Sequence, residues 1–360
     1  MKDNIDTLYS QILKLADRIE ANWLMYDNSS DDFYKVALEE SQDIDFKPLG
    51  EIENQLHLLE NPYVKSLQHP STFSEFHFEI FNNGKFLIEI LNWNGGNVNC
   101  HNHDFSGVQF QLKGRSLNIQ YHFEEDKQYG ALKTGKLSIE DISLWNEGDR
   151  TAVRHGSIAP HAVFHVSKPT TSLLIRTAAT KRYGEQSNFF PSLGIHYGVH
   201  STSQRKKATA LRLLSKYNTK EFHKTLQHTL SKQSKSENYF MILKLFSILI
   251  QKENVFILQN FSMTNDINAQ LVENCAKVYA SDKLNNQIYN CEGLSDDDRT
   301  ALYLKTSQFD DDSGLKVNNF LNELKVSQKI DPDKSQDFFL KSLTTQEKET
   351  ALKMLDILKK

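Results

Sequence analysis

Apolar residues at Ile5, Leu8, Ile12, Leu15 and Ile19 fall three and four apart, the spacing that places them on one face of a helix. The chain therefore opens on an amphipathic helix, and a weaker helical pattern follows over 31–40. Pro48, Pro62 and Pro70 then punctuate the sequence. From Phe86 the period changes to two. Phe86, Ile88 and Ile90 alternate with Leu87, Glu89 and Leu91, which predicts a strand partly buried on both faces. Val108, Phe110 and Leu112 alternate with Gln109 and Gln111, and Leu117, Ile119, Tyr121 and Phe123 with Asn118, Gln120 and His122. Shorter runs over 163–166 and 173–175 add two more strands. Helical spacing returns after residue 200, over about 203–217, 221–231, 238–250, 266–280, 315–326 and 345–359. Thr344 and Glu347 have the spacing of a capping box at the start of the last of these.

Glycine and proline sharpen the division. Nine of the 15 glycines lie between Gly84 and Gly156, whereas Val199 to Lys360 holds only Gly293, Gly314 and Pro332. A turn-rich middle followed by a nearly breaker-free half is the contrast between β-structure and helices. The expectation is an α+β chain in three parts: a helical segment at 1–70 packing on a β-barrel or sandwich at 71–200, and an α-helical domain at 201–360. The polar run Ser201 to Lys207 reads as the junction.

Charge narrows the partners. A net charge of -4, with acids and bases intermixed, gives no broad basic surface for nucleic acid. Three scattered cysteines, Cys100, Cys275 and Cys291, are no disulfide framework and favour a reducing compartment. The start, M-K-D-N-I-D, does not read as a signal peptide, and the apolar stretch over 239–250 is shorter than the roughly 20 residues of a spanning helix. A cytoplasmic protein without a membrane segment is expected.

The candidate chemistry lies in G-G-N-V-N-C-H-N-H, Gly95 to His103, and in Pro160-His161. Residues two apart on a strand share a face, so His101 and His103 stand side by side while Cys100 turns away. With His161 from a distant strand they can hold one metal ion facially and leave positions open, as catalytic metal sites do. Imidazole ligands alone suit iron, zinc, copper and nickel alike. His122, His155 and His165 read as structural or as supports of the ligands. His196 and His200, separated by Gly198, read as structural, and Asp310-Asp311-Asp312 as a solvated loop.

The spacing from Gly95 to His101, the H-x-H pair, Gly114 and the later His161 resemble the motifs of the cupin superfamily, with Gly107 in place of the motif's glutamate. Gly84-Lys85-Phe86, Trp93, the H-x-H pair and the stretch from Ser157 to Ile175 resemble more closely its cysteine dioxygenase-like, or thiol dioxygenase, branch, over roughly residues 70 to 180. The resemblance implies a cupin barrel (a double-stranded β-helix) holding iron(II), Fe(2+), on His101, His103 and His161. It implies an iron-dependent dioxygenase that takes a small-molecule thiol and dioxygen to a sulfinate. Its cysteine–tyrosine crosslink has no counterpart, because Gly107 and Arg176 occupy those places. The family's serine, histidine and tyrosine beside the metal correspond to Ser172, Leu174 and Arg176. The arginine that binds the carboxylate of cysteine falls near Phe76 or Phe78, so a substrate other than free L-cysteine is implied. Ser172 and Arg176 are the candidate catalytic residues, Arg176 either as a solvated strand residue or as the cation for an anionic substrate. Another oxidative reaction at the same centre is the first alternative. The second is a non-catalytic ligand-binding cupin whose helical half takes a protein partner.

Overall fold

The computed structural model describes residues 2–360 except 71–73, 96, 180–185, 191–192, 197–200, 308–315, 322–331, 346, 348, 350 and 354–360. It is an α+β fold with helices before and after a β-barrel. The chain divides into two compact units. The first comprises residues 1–121, 140–185 and 295–300; the second comprises 122–139, 186–294 and 301–360.

The first unit begins with α1 (Lys2–Leu24) and α2 (Ser30–Glu40), followed by α3 (Ile52–Leu58) and α4 (Pro62–Leu67). Two of the three prolines that punctuate this region start its short helical elements. Pro62 opens α4 behind an Asn61 cap, and Pro48 sits in a 3-10 turn, because proline lacks only an N–H that has no partner at a helix start. The first sheet has the order β1-β2-β9-β4-β7. Its strands are β1 (Phe76–Asn82), β2 (Phe86–Trp93), β9 (Thr170–Thr177), β4 (Gly107–Lys113) and β7 (Arg150–Val153). One face packs on α1 and α2 through Phe78, Ile80, Phe86, Ile88, Ile90, Val108, Phe110, Leu173 and Ile175.

The opposite face accounts for the double burial read in β2. Leu87, Glu89 and Leu91 pair in register with Arg176, Leu174 and Ser172 of β9. Directly paired residues of neighbouring strands share a side, so this face carries Glu89, Leu91, Ser172, Leu174 and Arg176 together. Across from it lie β3 (Asn97–His103), β8 (Gly156–His165) and the first part of β5 (Ser116–Tyr129). Residues 295–300 belong to this unit as well. Arg115 pairs with Asp297 at 2.7 Å, Ser167 with Asp296, and Arg299 donates to the Val166 carbonyl at 3.3 Å.

The second unit contains the outer parts of β5 and β6 (Leu132–Trp145), with β11 (Leu193–His196) paired to β6 and β10 (Ser187–Phe190) paired to β11. Its helices include α5 (Thr202–Tyr217), α6 (Thr219–Lys232), α7 (Lys235–Leu249), α8 (Val255–Ser262) and α9 (Asp266–Asn290). A core of Leu226, Tyr239, Met241, Ile242, Leu245, Ile257, Leu271 and Cys275 joins α6 to α9. Ser234 and Glu237 form a capping box on α7, and Thr344 and Glu347 make the reciprocal bonds expected of them. The helix expected over 315–326 is described only at 316–321, and the acidic run 310–312 lies outside the described residues.

The division into units differs from cuts at 70 and 200. The first helices share one core with the first sheet, and 122–139 and 186–200 group with the later helices. Among the described residues no helix is long and apolar enough to cross a membrane.

Candidate metal centre

His101, His103 and His161 come together. His101 and His161 are direct partners in the β3–β8 ladder, and His103 follows two residues along β3, past a shift in the register. One ring nitrogen from each lies within 4.8 Å of the others. The Nε2 atoms of His103 and His161 are 2.9 Å apart. Two ligand atoms bound at ~2.1 Å and subtending about a right angle are about 3.0 Å apart, so this spacing suits a shared ion.

The outer nitrogens show which atoms face inward. His101 Nδ1 donates to the Asn99 carbonyl at 2.8 Å, and His161 Nδ1 to Asn118 Oδ1 at 2.7 Å. These bonds place the protons on Nδ1 and leave the lone pairs on Nε2, the arrangement usual in metal-bound histidines. Asn118 is held in turn by a bond from its amide to Ser143 Oγ at 3.2 Å. His101 Nε2 and His103 Nδ1 are buried with no hydrogen-bond partner. An unmet buried acceptor is costly, and a metal ion is a partner that His101 Nε2 could take. Burial lowers the pKa of all three, that of His161 to about 3; at His103 the like charges of His101, His161 and Arg176 add to it. Neutral imidazoles are the form that binds metal.

Gly107 leaves no room for a side chain at its position. A Cβ there would lie 2.2 Å from the Ile175 carbonyl oxygen and 2.9 Å from Arg176 Cβ.

The histidines line a cavity between the two sheets. Leu91, Phe105, Val153, Val163 and Leu174 give it apolar walls, and Trp93, Gln109, His165 and Ser172 complete the lining. With the imidazoles neutral, none of these side chains is charged.

Ser172 thus stands in the cavity with the ligands, while Arg176 is held beside it. Arg176 donates from Nε to Glu89 Oε1 at 2.5 Å, from Nη2 to Glu89 Oε2 at 3.3 Å and from Nη1 to the Thr177 carbonyl at 3.4 Å. Its guanidinium lies over the Phe105 ring at 4.6 Å. Glu89 is fully buried and also accepts from His77 Nε2 at 2.7 Å. Neither Phe76 nor Phe78 replaces an arginine here, because both turn to the helices. The β1 side chain that reaches Glu89 is His77.

The remaining histidines divide. His155 pairs with Asp31, His122 is exposed, and the side chains of His196 and His200 lie outside what is described. Cys100 is buried and free, its thiol pKa raised well above the usual value by burial. Sequence reasoning missed Glu89, His77 and the role of Asn118.

No family model matches this sequence, and no curated protein matches it. Among solved structures it is similar to the DMSP lyase DddQ from Ruegeria pomeroyi DSS-3, at 13% identity over 36% of this chain and 59% of that one, with a TM-score of 0.23. It is also similar to hydroquinone 1,2-dioxygenase from Sphingomonas sp. TTNP3, at 11% identity over 31% of this chain and 70% of that one, with a TM-score of 0.24. A third likeness is to a conserved protein with a double-stranded β-helix domain from Klebsiella pneumoniae, at 10% identity over 37% of this chain and 88% of that one, with a TM-score of 0.23. The chain therefore spans about 59% of the length of the first of them.

Asn118 gives a direct check on the tautomer argument. Asn118→Ala frees His161 to rotate and to protonate at either nitrogen. Metal affinity, measured by competition with a coloured chelator, should fall by roughly 10- to 100-fold while the fold persists. Unchanged affinity would show that Asn118 does not orient the ligand.

Proposed function

We propose that this chain is a mononuclear non-haem iron(II) oxygenase of the cupin type. His101, His103 and His161 hold the metal, and the reaction is dioxygenation of a thiol to a sulfinate on a substrate other than free L-cysteine. The observation that carries the reading is the inward convergence of two buried imidazoles and the part-buried His161, with no carboxylate in the group among the described residues. Iron(II) on such a set would supply its full dipositive charge, open coordination positions and the redox capacity to join dioxygen to a thiolate. The balance is R–SH + O2 to R–SO2H, with sulfur oxidised and dioxygen reduced. The preference for iron and for a thiol rests on the sequence resemblance to thiol dioxygenases.

The chain's own groups define the rest. The apolar walls exclude water and fit a small uncharged body. Ser172 offers a hydroxyl beside the ligands. Arg176 contacts an anionic substrate only if it leaves Glu89, and its charge is offset where it stands. A free carboxylate in this cavity therefore lacks a ready cation, and burying an unpaired charge is costly.

The test is metal analysis of anaerobically purified protein, followed by oxygen uptake across a thiol panel. We expect about one iron per chain and sulfinate as the product. Free cysteine should be turned over at least tenfold less efficiently than the best neutral thiol, the effect of one poorly met buried charge. Cysteine as the best substrate would overturn the specificity, and no uptake with any thiol at full iron loading would overturn the reaction.

A further inference from the structure

One polar edge in the cavity has no part in holding the metal. His161, Val163 and His165 alternate onto the same face of β8, and all three line the cavity. His165 is buried and stacks on Trp93, with ring centroids 4.5 Å apart and planes 18° apart. Its Nδ1 lies 2.9 Å from Thr170 Oγ1 and 3.2 Å from Ser116 Oγ. Its Nε2 is buried with no hydrogen-bond partner.

The hydroxyls favour one tautomer. Thr170 and Ser116 are buried, and each has a hydroxyl proton that needs an acceptor. His165 Nδ1 is the side-chain acceptor within reach of both among the described residues. A lone pair on Nδ1 puts the proton on Nε2, at the opposite edge of the ring. Burial lowers the imidazole pKa to about 3, so the ring is neutral and carries that single N–H at ordinary pH. A buried donor left unmet costs the free energy of its lost hydration. In a cavity shared with a metal centre, the natural partner is the substrate.

We infer that His165 Nε2–H is a hydrogen-bond donor to the substrate, and that the substrate carries a neutral oxygen acceptor, a carbonyl or amide, near its metal-binding atom. Lining by uncharged groups and the offset of Arg176 by Glu89 favour a neutral acceptor over a carboxylate. Trp93 fixes the ring plane, while Thr170 and Ser116 hold its tautomer. The inference deepens the proposed thiol reaction and rests on it.

The experiment uses the full chain loaded with cobalt(II), whose thiolate charge-transfer absorption reports binding. Two probes are titrated: mercaptoacetamide, which carries a carbonyl, and ethanethiol, which does not. With affinities expressed per thiolate, which removes the effect of its more acidic thiol, mercaptoacetamide should bind about five- to tenfold more tightly, the worth of one net hydrogen bond. His165→Leu should abolish that advantage while leaving cobalt content and ethanethiol affinity unchanged. His165→Gln, which restores an N–H donor, should recover part of it; this also separates a lost contact from a damaged fold. An advantage that persists in His165→Leu, or is absent from the unaltered protein, overturns the inference alone. If cobalt binds fully but neither thiol produces the band, the thiol reaction and this inference fall together.

Discussion

Replacing His101 and His103 together with alanine should leave the purified protein with less than a tenth of its metal and no measurable oxygen uptake. In the proposed site the two residues would supply two of three ligands from one strand, and a single imidazole cannot hold a divalent ion against buffer and chelators. Each lost ligand costs far more than the 10- to 100-fold lost with an outer partner. The fold should survive, because the change removes two rings that already lack part of their hydrogen bonding. Circular dichroism and the unfolding midpoint of the metal-free forms should therefore agree between variant and parent. In the presence of metal the parent alone should gain stability, by an amount that rises with metal concentration. Full metal occupancy in the double variant would show that the ion sits elsewhere and would remove the basis of the proposed function.

The triad was legible in the sequence because its signal is local. An H-x-H pair on a strand needs only the period of two, and His161 was found through the stretch around it. The helices were legible for the same reason, as in α1, α5 and α7. What escaped depends on pairing between distant strands. Glu89 looked like one polar residue in an apolar run; its burial against Arg176 follows from the β2–β9 register, 87 residues apart. His77 escaped because the β1–β2 register shifts between Glu79 and Phe81, so counting back from the turn misplaces which side chains face the barrel. Asn118 acts on a histidine 43 positions away. The division into units was hidden because β5 and β6 each run from one unit into the other, and no composition change marks that passage.

Replacing Glu89 with leucine should be the most destabilising single change on the barrel-facing side of the first sheet. Glu89 is fully buried, and its partner Arg176 has a side chain 20% exposed. Removing the carboxylate strands a guanidinium and takes the acceptor from His77. Breaking a buried pair in this way costs about 3–5 kcal/mol, and the partial exposure of Arg176 places the expectation near 3. A chemical-denaturation midpoint reads the loss. Glu89→Leu/Arg176→Leu should recover most of it, since an apolar pair of similar volume lacks the stranded charge. Acid should affect the parent and Glu89→Leu differently. Burial pushes the Glu89 pKa up, but the His77 hydrogen bond and the charge and hydrogen bond of Arg176 outweigh it, so the net shift is downward from 4.5. A carboxylate depressed in the folded state contributes stability that is fully present above its unfolded pKa and lost as pH falls through the folded one. The stability gap between parent and Glu89→Leu should therefore hold above about pH 4.5 and close below it. A gap under about 1 kcal/mol at pH 7 would place the pair among weak, solvent-screened contacts. Arg176 would then be free to turn from Glu89 towards an anionic substrate.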